Sequence, residues 1–94
     1  MGDRRIYDAA RRGDALEVLL LLAQGADSTW SNAQYYKCTA LHEAARKGNL
    51  SVLRVLIESG MDVSPPNEYG KTPMQLARAH SQHEAEALLA RAPW

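Results

Sequence analysis

A short pattern occurs twice in this 94-residue chain, at a spacing of 33 residues. Thr39-Ala40-Leu41-His42 is followed by small apolar residues, and so is Thr72-Pro73-Met74-Gln75. Val55-Leu56 and Leu88-Leu89 repeat at the same spacing. A period of about 20–50 residues is typical of repeat proteins, in which each unit packs against its neighbours. The chain is therefore predicted to stack similar units side by side.

A third copy of the unit lies upstream of the other two. The segments AARRGD and AARKGN begin at Ala9 and Ala44, which are 35 residues apart. QGAD and SGMD, which begin at Gln24 and Ser59, repeat at the same spacing of 35. The connection between the first two copies is therefore two residues longer than the connection between the second and the third.

Each copy is predicted to form two short helices. In the second copy, Thr39 can accept hydrogen bonds from the free amides that begin a helix over residues 40–46. Gly48 is suited to end that helix, because glycine tolerates a left-handed backbone. A second helix is predicted over residues 50–58 and is followed by Gly60. Helices this short do not persist alone, so stacking must stabilise them.

These residues resemble the ankyrin repeat, whose mark is a period of about 33 residues with a Thr-Pro-Leu-His-x-Ala start. The resemblance covers nearly the whole chain. It implies an all-α solenoid of stacked helix–turn–helix units with projecting loop fingers. We expect one domain over residues 1–94, made of an N-terminal capping repeat (3–36), a central repeat (37–69) and a C-terminal capping repeat (70–94).

The family motif also implies structural roles for six residues. It suggests that His42 hydrogen-bonds the loop backbone near Thr39. Ala40 and Gln75 depart from the motif, where Pro and His are usual. The first copy lacks the Thr-x-x-His start, as expected of a terminal repeat that faces water on one side. The structural residues are Thr39, His42, Gly48, Gly60, Thr72 and Pro73.

The composition argues against several classes of partner. Eleven basic residues balance eleven acidic ones, so net charge does not favour a membrane surface or nucleic acid in general.

The single cysteine cannot form an internal disulfide, and the N-terminus lacks the apolar core of a signal peptide. We therefore expect a cytoplasmic or nuclear protein that is monomeric on its own.

Candidate chemistry is sparse in this sequence. Cys38 and His42 have a spacing that suits a thiolate–imidazole nucleophile, but the family motif gives His42 a structural role. His80 and His83 could join them around zinc, although zinc sites usually have tighter paired spacings. No phosphate-binding loop or metalloprotease motif is present. We expect no enzyme, cofactor or metal site, and mostly solvated carboxylates at Glu17, Glu43, Glu58, Glu84 and Glu86.

By the resemblance, a partner would contact the finger tips and the ends of the first helices. Basic residues fall at equivalent points of successive copies, where stacking should align them as a positive stripe. Aromatic residues in the loops lie beside arginine, a composition enriched at protein interfaces. Solvated charges and a tryptophan that merely covers the longer loop are the competing interpretations. The candidates are Arg11, Arg12, Trp30, Tyr35, Tyr36, Cys38, Arg46, Lys47, Tyr69, Lys71 and His80.

The leading hypothesis is a protein-interaction module. It would hold an acidic or mixed segment of another protein on its concave, finger-side surface, as an adaptor, a targeting subunit or an inhibitor. The alternative is nucleic-acid binding through the basic stripe and base-stacking tyrosines. Strong salt dependence would distinguish this alternative, because phosphate contacts release counterions. A thiol or metal function at Cys38 is the third hypothesis.

Overall fold

Three helix pairs and one small hairpin make up the described part of the chain. The computed structural model describes residues 3–60 and 62–91. The helices are α1 (Arg4–Arg12), α2 (Ala15–Ala23), α3 (Ala40–Lys47), α4 (Leu50–Glu58), α5 (Pro73–Ala79) and α6 (His83–Ala90). β1 (Ser31–Asn32) pairs antiparallel with β2 (Cys38–Thr39) between the first two pairs. The predicted all-α solenoid is confirmed, and the hairpin is an addition to it.

Helix ends follow the capping residues of the sequence. The Thr39 hydroxyl accepts from the His42 amide at the start of α3, and Gly48 ends α3 with a left-handed φ of 72°. A Cβ at Gly48 would also meet the far end of the Gln82 side chain, which is flexible and can shift, so the left-handed conformation is the main reason for glycine here. Thr72 caps α5 in the same way as Thr39 caps α3. The predicted α3 is one residue too short, and the predicted α4 is correct.

The helices form two layers. The inner layer consists of α1, α3 and α5, with α3 packed between the other two, and the outer layer consists of α2, α4 and α6. Ile6 and Leu41 of the inner layer are fully buried, as are Leu53 and Leu56 of α4. The core therefore runs between the layers and through all three pairs.

Outer helix α2 differs from the other outer helices because it is also apolar on its exposed side. Leu16 and Leu19 are exposed, and their counterparts 35 residues further on are Ser51 and Arg54. The helix has only nine residues. Across residues 3–60 and 62–91, no helix combines the length and hydropathy that crossing a bilayer requires.

The burial pattern predicts how alanine substitutions in the outer layer affect stability. Leu56→Ala should lower the free energy of unfolding by roughly 2–4 kcal/mol, because Leu56 is fully buried between repeats. Leu19→Ala is the matched control and should change it by less than about 0.5 kcal/mol, because Leu19 is exposed. Urea unfolding followed by circular dichroism measures both. Equal midpoints for the two variants would contradict the packing described above.

Candidate functional site

The first finger is the hairpin between α2 and α3. Its turn contains Tyr36 and Lys37, which have left-handed φ values of 55° and 56°. The Lys37 amide donates to the Asn32 carbonyl at 2.8 Å. Lys37 occupies the place that Gly70 holds in the next copy, where φ is 73°. The finger therefore keeps a left-handed turn without glycine.

His42 connects the first finger to the second finger, which is the loop before α5 that contains Tyr69, Gly70 and Lys71. Its Nδ1 accepts from the Thr39 amide at 3.0 Å, so its Nε2 carries the proton and donates to the Lys71 carbonyl at 2.8 Å. The Thr39 contact is the one that the resemblance implied, and the Lys71 contact is an addition to it. The ring is fully buried, and burial lowers the pKa of His42 below its usual value. With both nitrogens occupied, the imidazole is not free to serve as a base for Cys38.

Cys38 lies under the finger and not on its surface. Only 2% of Cys38 is exposed, and burial raises the pKa of its thiol. The Asn67 amide nitrogen lies 3.7 Å from the sulfur. The prediction that Cys38 contacts a partner is therefore wrong, because its strand position turns the side chain inward. Within the part of the chain that the structure describes, no three His, Cys, Asp or Glu side chains cluster to hold a metal ion.

Glu43 corrects a second prediction. It was expected to be solvated, but only 1% of it is exposed, because it faces α1 across the inner layer. Its Oε2 accepts from the Tyr7 hydroxyl at 2.9 Å, and its Oε1 accepts from Arg46 Nη2 at 2.6 Å. Burial is the main cause that raises the pKa of Tyr7 to about 12, and the Glu43 contact adds to it. Nothing in the neighbouring sequence distinguishes Glu43 from the carboxylates that were expected to be solvated.

Arg46 lies at the edge of a small pocket. Its Cζ is 5.5 Å from the centre of the Tyr35 ring, a cation–π distance. The side chain is 26% exposed, whereas its Nε is shielded and has no hydrogen-bond acceptor. The pocket has a volume of about 150 Å³ between α1, α3 and the hairpin. Its lining residues are Tyr7, Arg11, Asn32, Tyr35, Glu43 and Arg46.

A row of tyrosines continues from this pocket across both fingers. The ring centres of Tyr35 and Tyr36 are 5.0 Å apart, and those of Tyr36 and Tyr69 are 5.3 Å apart. Tyr36 is 47% exposed and Tyr69 is 65% exposed. Trp30 lies apart from this row, because its ring packs edge-on against Tyr7 at 5.2 Å. The row therefore presents aromatic surface at the finger tips.

Basic residues lie at the C-terminal ends of the inner helices. Arg12, Lys47 and His80 are exposed at the C-terminal ends of α1, α3 and α5. Lys47 Nζ donates to the Arg11 carbonyl at 2.8 Å. Among the described residues, the side chains of Arg11, Arg12 and Lys47 form no ion pair. The helix dipole favours cations at helix C-termini. Because Arg11, Arg12 and Lys47 have no ion-pair partner within the described ranges, their positive charge is not neutralised by a neighbouring carboxylate.

We call this surface the finger–stripe face. It combines the tyrosine row with the basic residues near the C-terminal ends of the inner helices, of which Arg46 is paired with Glu43, and includes the exposed Lys71. Of the predicted partner residues, Trp30 and Cys38 are outside it. Its members are Arg11, Arg12, Tyr35, Tyr36, Arg46, Lys47, Tyr69, Lys71 and His80.

Comparisons with known proteins agree with this architecture. The family model described as ankyrin repeats, in three copies, matches residues 6–92. E3 ubiquitin-protein ligase KEG of Arabidopsis thaliana is 36% identical over 72 residues, which are 77% of this chain and 4% of that protein. Probable E3 ubiquitin-protein ligase XBOS33 of Oryza sativa subsp. japonica is 36% identical over 89 residues, which are 90% of this chain and 16% of that protein. ARF GTPase-activating protein Git of Drosophila melanogaster is 34% identical over 87 residues, 92% of this chain and 12% of that protein. The chain therefore spans a small part of the length of these relatives.

The buried imidazole predicts a pH dependence of stability. Because the folded-state pKa of His42 is lowered from 6.5, the unfolded chain binds a proton there first as the pH falls. The stability that the neutral His42 ring contributes is therefore fully present above pH 6.5 and is lost as the pH falls below that value. His42→Gln should lose less stability than the wild type between pH 7 and pH 5, because glutamine does not titrate. Glutamine should fit at this position, since Gln75 makes the equivalent capping contacts in the next repeat. Thermal melts at several pH values measure this, and parallel slopes would contradict it.

The hydrogen bond to the buried carboxylate predicts a stability difference between two tyrosines. Tyr7→Phe should lower the free energy of unfolding by about 1.5–3 kcal/mol, because the buried Glu43 then loses a donor to a charged group. Tyr69→Phe is the matched control and should change it by less than about 0.5 kcal/mol, because Tyr69 is exposed. Urea unfolding compares them, and an effect of equal size in both variants would refute the role of the contact.

Proposed function

Since this chain belongs to the family of ankyrin-repeat proteins, we propose that it binds a segment of another protein on the finger–stripe face. Ankyrin repeats are protein-interaction modules and are not typically catalytic. The observation that supports this face is the pair of exposed rings of Tyr36 and Tyr69, which Tyr35 connects to the guanidinium of Arg46. The partner segment is acidic or of mixed charge.

The physical properties of the face suit recognition of a protein segment. Tyrosine offers a large contact area at a low cost in conformational entropy, because only two side-chain torsions are ordered. The Glu68 amide donates to the Tyr36 carbonyl at 2.7 Å, so the two fingers are joined before any partner arrives. A preformed surface lowers the ordering cost of binding. Positive charge then favours acidic partners and speeds their approach.

The cellular role that we propose is that of an adaptor, a targeting subunit or an inhibitor. Each of these roles needs only one stable contact with a second protein. Two relatives are named as ubiquitin ligases and one as a GTPase-activating protein, and the matched region is a small share of each. These small shares are consistent with a role in which the repeats bind a partner and another part of the protein, or another protein, acts on it.

The test is selection from a random peptide library with three purified baits. These are the wild type, a face variant with Tyr36→Ala, Tyr69→Ala and Lys47→Glu, and an outer-helix control with Leu16→Ala, Leu19→Ala and Arg54→Glu. The control matches the face variant in the number of truncations and in its charge reversal. We expect acidic peptides to bind the wild type and the control alike and the face variant at least about tenfold more weakly.

Two results would contradict the proposal. Peptides that bind all three baits equally would place the site elsewhere, and peptides lost only on the control would place it on the outer helices. A single-stranded oligonucleotide that binds the wild type with steep salt dependence would instead support the nucleic-acid alternative.

A further inference from the structure

The pocket beside Arg46 has a chemistry that the general charge of the face does not explain. It is bounded by the stacked helices α1 and α3 and by the hairpin, which the Glu68 amide joins to the next finger through the Tyr36 carbonyl. Its volume of about 150 Å³ is large enough for one side-chain headgroup but not for a large ligand. A buried carboxylate and two guanidinium groups line it together.

We propose that this pocket takes one carboxylate side chain, Asp or Glu, from the partner segment. The inference rests on the proposed function and adds its anchor. The tyrosine row would contact the flanking residues of the same segment, because Tyr35 belongs both to the row and to the pocket wall. Arg11 and Arg46 would hold the carboxylate.

The charge in the pocket favours an anion. Both oxygens of Glu43 already accept a hydrogen bond, and its charge is balanced by Arg46. Arg11 lines the same pocket and has no ion pair within the described residues. One positive charge is therefore in excess, and a Lys or Arg side chain from a partner would meet it unfavourably.

The hydrogen-bonding capacity points to the same ligand. A guanidinium has five N–H donors, and Glu43 uses one of those on Arg46. Nε of Arg46 is shielded, whereas the guanidinium of Arg11 is exposed and has no ion pair among the described residues, so its N–H groups are open to a ligand. A carboxylate forms shorter and stronger hydrogen bonds with guanidinium than a neutral amide does. An acidic side chain therefore has an advantage over its amide counterpart.

The test uses two short probes that differ only in this group. They are acetyl-Gly-Glu-Gly-amide and acetyl-Gly-Gln-Gly-amide, titrated into the isotope-labelled wild-type chain at constant ionic strength. The readout is the NMR signal of Arg46 Nε–H, together with the ring signals of Tyr7 and Tyr35. We expect saturable shifts with the Glu probe at millimolar concentrations and none with the Gln probe.

Variants then connect the response to the pocket. Arg11→Gln should weaken binding of the Glu probe at least about fivefold, because an exposed cation that lines the pocket is lost without disturbing the core. Arg54→Gln removes one exposed arginine from outer helix α4 and should change it less than about twofold. Inorganic phosphate serves as a third probe.

Several outcomes would overturn the inference. These are equal shifts with the Glu and Gln probes, an unaltered response in Arg11→Gln, or equal saturation by inorganic phosphate, which would show a general anion site. If the Glu probe causes no shift while selected peptides still fail on the face variant, the anchor is wrong and the proposed function stands. If the Glu probe binds but no peptide depends on the face, the proposed function fails and the pocket stands.

Discussion

The packing of α3 between α1 and α5 is the contact on which the other features depend. Six of the eight residues of α3 are buried, although the helix is too short to persist alone in water. Ala44 and Ala45 are fully buried, and because their side chains are small, the helices of the inner layer can pack closely. Larger side chains such as Leu53 and Leu56 fill the space between the layers. The conformation of the central repeat is therefore maintained by its neighbours.

Polar contacts then set the position of one repeat relative to the next. Gln82 donates to the Arg46 carbonyl at 3.2 Å, and its counterpart one repeat earlier, Asn49, has its amide nitrogen 3.5 Å from the Ala10 carbonyl. Each contact supplies a donor near the end of an inner helix, where carbonyls lack partners within the helix. His42 makes the corresponding link at the finger side, through the Lys71 carbonyl. The fingers are therefore positioned by the same stack that builds the core.

Much of this fold was predictable from local sequence, whereas the candidate site was only partly so. The repeat spacing and the caps at Thr39 and Gly48 predicted α3 to within one residue and α4 correctly. The hairpin was not predicted, because each of its strands has only two residues. Glu43 was placed wrongly because its partner Tyr7 lies 36 residues away, on a neighbouring repeat. Contacts of that range depend on how the repeats stack, which periodicity alone does not give.

The ion pair between the buried Glu43 and the partly exposed Arg46 is the feature that departs most from the usual rules for a stable core. Burying two charges costs desolvation, and their attraction often does no more than offset it. Arg46 also leaves a shielded Nε without an acceptor, so this ion pair is weak evidence for a contribution to stability. The pair does fix a position: Glu43 holds the guanidinium of Arg46 close to the Tyr35 ring, at the edge of the pocket between α1, α3 and the hairpin. Departures of this kind are expected at functional sites, where recognition is favoured over stability.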